Sequence, residues 1–214
     1  MASVIQTAEW TAADLVDAFG PISIKRIRHD PAPGTATEDD VVAIWEHEKR
    51  LYELVDGILV EKTVGIQESY LAVLIARLIG NFIDQHGLGV VLGADGMARL
   101  FPGRVRIPDV SFISWERFPD RKIPAKAFVE VGLDLVVEVL SASNTVKEMD
   151  GKLRDYFKAE VRLVWYVDAV QETIQVFRSL EDSVMLRAGD RLDGGDVLPG
   201  FSLEIDDLFS NLAK

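Results

Sequence analysis

Apolar residues fall at helical spacing in one long stretch and in short strand-like runs on either side of it. From Gln67 to His86 they recur at Leu71, Leu74, Ile75, Leu78, Ile79 and Phe82, the pattern of one helix face. Gly87 and Gly89 end that pattern. Ahead of it, Leu51–Val55 and Ile58–Lys62 are β-prone runs separated by Asp56-Gly57, whose backbone tolerates positive φ, and this spacing predicts a hairpin. Further strands are expected at Gly89–Leu92, Met97–Phe101, Val105–Ser114 and Leu133–Leu140. The last is almost continuously apolar, as a central strand covered on both faces would be. Asn144–Ala159 reads as a helix, followed by strands at Arg162–Asp168 and Thr173–Phe177.

Nearer the start, a helical piece around Thr11–Phe19 leads into His29–Thr37, where Pro31, Pro33 and Gly34 break regular structure. Thr37, followed three residues later by Asp40, caps a helix carrying Val41, Ile44 and Trp45. Strands flanked by long helices predict an α/β fold with a mixed central sheet. Residues 1–36 read as an N-terminal extension and linker, and residues 37–214 as one domain.

Composition narrows the function classes. Of 214 residues 48% are hydrophobic and 27% charged, which is enough apolar area for a core and unlike a disordered chain. Cysteine is absent, so disulfides, thiolate nucleophiles and cysteine-ligated metals are excluded. No basic cluster precedes an apolar run at the N-terminus, and a cytoplasmic location is expected. The apolar region Tyr70–Ile83 is interrupted by Arg77 and Asn81 and reads as too short to cross a bilayer. A formal net charge of −12 argues against coating nucleic acid by bulk electrostatics. The charge is uneven, however: Arg99 to Lys126 holds seven bases against three acids, a segment that either faces an anion or carries ordinary solvated charges.

The chemistry is suggested by misplaced carboxylates. Glu138 stands inside Leu135-Val-Val-Glu-Val-Leu140, and a charge on such a strand needs a partner, either an internal ion pair or a metal. Asp109 follows Pro108, which marks a strand edge or bulge. Two acids on neighbouring strands supply hard oxygen ligands suited to Mg²⁺ or Mn²⁺.

Pro108-Asp109, Glu138 in an apolar strand and Lys152 in the next helix resemble the PD-(D/E)-x-K nuclease superfamily. More specifically, three blocks are similar to the bacterial Uma-two family of restriction-endonuclease-like proteins: Tyr52–Glu61, Ile107–Ser111, and Val136–Asn144 running on through Lys152–Tyr156 to Val161–Asp168. The resemblance implies a restriction-endonuclease-like core and metal-dependent cleavage of a DNA phosphodiester, with Mg²⁺ or Mn²⁺ as cofactor. Asp109 and Glu138 would be metal ligands, and Lys152 would orient or help deprotonate the attacking water. Arg104 and Arg106 would contact DNA phosphates beside Asp109.

Two positions depart from the family pattern. The superfamily lysine lies two residues after the acid, where this chain has Leu140, so the role passes to Lys152, with Tyr156 on the same helix face. Many relatives carry a histidine at the start of the long helix, where this chain reads Gln67-Glu68-Ser69. Glu68 is then either a third metal ligand or a first-turn acid facing the helix dipole. By analogy with enzymes that cut both strands, a two-fold homodimer is expected. Two rival readings stand beside the nuclease: a catalytically weak or inactive member of the fold that binds nucleic acid or protein, and a small-molecule hydrolase using the same carboxylates.

Overall fold

The computed structural model describes residues 10–210 and 212. The chain runs through α1 (Ala12–Phe19), α2 (Glu38–Glu48), β1 (Tyr52–Val55), β2 (Ile58–Glu61), α3 (Ile66–His86), β3 (Gly89–Leu92), β4 (Ala98–Phe101), β5 (Arg104–Arg106) and β6 (Val110–Ser114). It continues with β7 (Leu135–Leu140), α4 (Val146–Lys158), β8 (Leu163–Asp168), β9 (Thr173–Phe177), β10 (Ser183–Leu186), β11 (Arg191–Gly194), β12 (Leu198–Glu204) and α5 (Ile205–Phe209). Both N-terminal helices begin with reciprocal caps. Thr11 with Asp14, and Thr37 with Asp40, each satisfy the other's backbone N–H.

The strands form a six-stranded sheet ordered β10-β9-β8-β7-β6-β3, a four-stranded sheet ordered β2-β1-β5-β4, and the ribbon β11-β12. In the large sheet β7 and β8 pair in parallel, joined through α4, while its other pairs are antiparallel. This mixed sheet, with α3 on one face and α4 on the other, is the α/β architecture expected. The alternation of β7 sorts its side chains. Leu135, Val137 and Val139 join Leu71, Ile75 and Ile79 of α3, whereas Val136 joins Met149, Leu153 and Tyr156 of α4. Helix α3 is longer than the Tyr70–Ile83 region read from the sequence, and an 18-residue window of it reaches a mean hydropathy of 1.2, enough by length and composition alone to cross a membrane. Here it packs one face against the sheet.

The run Val105–Ser114, expected as one strand, is two. Arg104–Arg106 pairs in the small sheet and Val110–Ser114 in the large one. Pro108, which has no N–H to give a ladder, falls between them, and the chain changes sheets there. Asp109 is therefore placed on the seam between the sheets. The C-terminal strands and α5, which the sequence pattern did not signal, close the α3-side core with Leu198, Phe201, Ile205, Leu208 and Phe209.

The N-terminal segment, expected as an extension, is packed against the hairpin. Ile27 bridges Val60, the Arg28 N–H donates to the Leu59 carbonyl at 3.0 Å, and Leu15, Phe19 and Ile27 bury with Val55, Ile58 and Val60. The hairpin turn that receives this segment has Asp56 at φ 49° and Gly57 at φ 78°. The carbonyl of Gly57 accepts from Gly34 N–H at 2.8 Å and Ala36 N–H at 3.0 Å. A Cβ on Gly57 would come within 2.4 Å of the Gly34 carbonyl carbon, whereas a Cβ on Gly103, at φ 75°, meets nothing within 4 Å.

Gly103→Ala is accordingly expected to lose about 1–2 kcal/mol from the left-handed backbone alone. Gly57→Ala, with the steric overlap added, is expected to lose about 1–3 kcal/mol more. Urea unfolding of both variants checks this, and equal losses would contradict the turn's role in docking the N-terminal segment.

Candidate active site

The alternation of β7 turns Glu138 toward α4, where Lys152 and Tyr156 lie four residues apart on one helix face. Both donate to the same carboxylate oxygen: Lys152 Nζ reaches Glu138 Oε1 at 3.0 Å, and the Tyr156 hydroxyl donates to that atom as well. The start of α4 is fixed by Thr145, whose hydroxyl accepts from the Glu148 N–H at 3.0 Å. In the preceding turn, Asn144 Oδ1 accepts from the Ser141 N–H at 2.9 Å. These caps set the helix register that brings Lys152 over the end of β7.

Glu53 of β1 reaches the same point from the small sheet. Its Oε1 lies 2.9 Å from Lys152 Nζ and accepts from the Ile107 N–H at 3.1 Å, while Oε2 accepts from Arg106 Nη1 at 2.8 Å. Arg106 turns its other edge to Asp155 of α4, with Nε 2.9 Å from Oδ2. Asp109 lies opposite Glu138 when the register Val110↔Val137 is extended by one pair. Its Oδ2 accepts from the Val139 N–H at 2.8 Å, and its Oδ1 lies 2.9 Å from Lys62 Nζ. Relative exposure is 3% at Glu53, 4% at Glu138, 5% at Lys152 and 7% at Asp109.

Burial on this scale decides the protonation chemistry. Glu138 is raised above its ordinary value, first by burial, then by the negative charges of Asp109 and Glu53, which Lys152 and Lys62 offset only in part. At Glu53 burial also pushes upward, but Lys152 and Arg106 outweigh it and hold the carboxyl down at about 2. At Lys152 burial pulls downward, and Glu138 and Glu53 more than reverse it, so the ammonium is kept charged. Tyr156 is driven well above the phenol value, by burial and then by Glu138, and remains a hydrogen-bond donor.

These groups open onto a cleft with an interior of about 20 Å³, lined by Lys62, Glu68, Asp109, Glu138 and Lys152 together with Arg26. That is room for one water or one ion. Arg26, from the N-terminal segment, clamps the wall: it is bidentate to Glu148 at 2.9 and 2.7 Å and donates to the carbonyls of Glu61 and Ser143, each at 3.1 Å. Glu68 folds back over Gly65 at the start of α3 and has no hydrogen-bond or ion-pair partner among the described residues. No group of three or more histidines or acids is arranged as a ready-made metal cage among the described residues. Two carboxylates beside a one-ion space nevertheless match the demand of Mg²⁺, which keeps several waters and takes one or two protein carboxylates. The hydrogen bonds that Glu138 accepts fall on Oε1, so the donor set fits such an ion.

Of the residues singled out from the sequence, Asp109, Glu138, Lys152 and Glu68 all line this one cleft. The two arginines are paired within the protein: Arg106 is 3% exposed and held by Glu53 and Asp155, and Arg104 pairs with the exposed Asp56 at 2.8 Å. Elsewhere in the basic stretch, Arg99 and Lys126 share Glu130 and Arg117 pairs with Asp134, while Arg121 and Lys122 are exposed. The part of it after Ser114 also leaves the large sheet at the end opposite Asp109. Sequence reasoning missed Lys62, Arg26 and the position of Glu53 at the centre. For Glu53 a signal existed, since it is a carboxylate inside the buried run Tyr52–Val55, as Glu138 is inside β7.

Because Glu53 is held at about 2 against an ordinary 4.5, its contribution to stability is complete above pH 4.5 and is lost as the pH falls toward 2. The groups facing it are Lys152 and Arg106, both cationic throughout that range, and Glu138, whose raised value acts in the opposite sense. Glu53→Gln is expected to lose about 3–5 kcal/mol at pH 7. It should also flatten the fall in stability between pH 4.5 and 2, read from urea midpoints across pH. A variant curve parallel to wild type would contradict the assignment.

No curated protein matches the chain. A solved structure described as a "putative nuclease belonging to DUF820" from Anabaena variabilis ATCC 29413 superimposes with a TM-score of 0.71. At 18% identity, covering 81% of this chain and 97% of that one, the match shows a common fold. The family model described as "Putative restriction endonuclease", Uma2, matches residues 39–206, and the chain belongs to that family.

Proposed function

We propose that the protein is a divalent-metal-dependent endodeoxyribonuclease. The observation that carries this reading is the meeting of Asp109, Glu138 and Lys152, from the sheet-crossing segment before β6, from β7 and from α4, on a cleft with space for one ion or water. Asp109 and Glu138 would hold Mg²⁺ or Mn²⁺, with Glu68, unpartnered at the same cleft, as a third carboxylate. When bound, such an ion supplies Lewis acidity toward a water molecule and the phosphodiester.

The chain's own residues supply orientation and charge. Lys152 is held as a cation between Glu138 and Glu53, so it orients a water or donates to a phosphoryl oxygen rather than removing a proton. Tyr156 fixes the Glu138 carboxylate from behind, and Glu53 fixes Lys152. With Arg104 and Arg106 paired internally, substrate contact falls to the exposed hydroxyls of Thr63 and Ser143, 2.9 Å apart beside the cleft. Cutting both strands of a duplex would require a two-fold pair of such chains.

A second reading, a nucleic-acid- or protein-binding module with little catalysis, is favoured by the net charge of −12, which repels free DNA except at the basic segment. Incubation with Mg²⁺ or Mn²⁺ and a panel of single-stranded, duplex and branched DNA and RNA decides between them. Cleavage should be lost in EDTA and fall by about 10²-fold or more in each of Asp109→Asn, Glu138→Gln and Lys152→Met. Cleavage unchanged in all three variants, with circular dichroism showing them folded, would remove the assignment.

A further inference from the structure

Lys62 is unused by the sequence motif, yet its ammonium is as deeply placed as that of Lys152, each side chain being 6% exposed. Its backbone N–H donates to the Leu51 carbonyl at 3.0 Å, so the root of the side chain is anchored at the exit of β2. Its Nζ donates to the Ile107 carbonyl at 2.6 Å and lies 2.9 Å from Asp109 Oδ1. Both partners belong to the segment that crosses from one sheet to the other. Lys152, in contrast, is gripped by two carboxylates, Glu53 and Glu138. Of the two lysines, Lys62 is the less firmly held, and its neighbours Thr63 and Val64 are exposed residues of the cleft wall.

The position of Lys62 gives it a meaning. Lys152 and Arg106 are each shared by two buried carboxylates, whereas Lys62 answers Asp109 alone. A divalent cation added with Lys62 in place would set an ammonium beside the ion on the same carboxylate. Exchange of the ammonium for the ion keeps Asp109 compensated without placing two cations on it.

Building on the metal-dependent reading, we propose that Lys62 is the built-in counter-ion of Asp109, which a divalent cation displaces. Its ammonium then turns on its four-carbon stem into the mouth of the cleft, where it pairs with an anionic oxygen of the phosphodiester. Lys62 thus keeps the buried carboxylate compensated when no ion is bound and becomes a substrate contact when one is.

Calorimetric titration of the full chain with MnCl₂ tests this without reference to cleavage. Two neutral variants are used: Lys62→Met, and Lys62→Gln, which keeps a hydrogen-bond donor for Asp109 should the first fold poorly. Lys62→Arg retains the charge, and Asp109→Asn removes the ligand. The expected result is Mn²⁺ binding tightened about tenfold or more in a neutral variant, the scale on which groups contacting metal ligands act. No tightening is expected in Lys62→Arg, and binding should be lost in Asp109→Asn. Equal or weaker binding in both neutral variants would overturn the proposal, as would binding indifferent to Asp109→Asn or no binding by any form. Tightened, Asp109-dependent binding by a protein that cleaves no nucleic acid would leave the role of Lys62 standing and remove the nuclease reading alone.

Discussion

Lys152 places one ammonium between two buried carboxylates from different sheets, 2.9 Å from Glu53 on β1 and 3.0 Å from Glu138 on β7. The charged groups at the seam depend on that contact. Glu53, fixed by Lys152, also receives Arg106, and Arg106 receives Asp155 from the helix that carries Lys152. Small sheet, large sheet and α4 are thus joined by a closed circuit of charges rather than by apolar contact alone. Removing one member strands the others without water, which is why such clusters fail badly when broken.

A buried ion cluster is a poor means of stabilising a fold, since well-packed apolar residues of similar volume often do as well or better. Its placement is the more informative property. Pro108 ends pairing in the small sheet, the chain crosses to the large one, and the first residue on the far side is Asp109, opposite Glu138 in register. The carboxylates are held by a backbone N–H, a lysine and a tyrosine, each from an element whose position is set by its own caps or ladder. A site preorganised in this way meets developing charge without having to rearrange.

The local elements were largely legible because their signals are local. Asp56-Gly57 between β-prone runs, the Thr37-to-Asp40 capping pair and the helical stripe of α3 all appear where the pattern put them. Glu138 was legible because a charge in an apolar strand is anomalous, and Lys152 only through the resemblance to the superfamily motif, which the turn after β7 into a helix made compatible. What was not legible depended on contacts distant in the chain. Nothing marks a lysine after a hairpin, such as Lys62, as the partner of an aspartate 47 positions on, and nothing marks Arg26 as reaching Glu148. Arg106, which read as a phosphate contact because it neighbours Asp109, points the other way into Glu53 and Asp155. The change of sheet at Pro108 separates residues that the sequence presents as a single strand.

The most direct measurement is a crystal structure of the protein grown with Mn²⁺, with anomalous scattering recorded to locate the ion. The expected result is a single peak at about 2.0–2.2 Å from carboxylate oxygens of both Asp109 and Glu138, with Lys152 still between Glu138 and Glu53. A cleft without a peak at saturating Mn²⁺, or an ion held elsewhere while Asp109 and Glu138 keep only their protein partners, would show that these buried carboxylates serve the fold and not a catalytic centre.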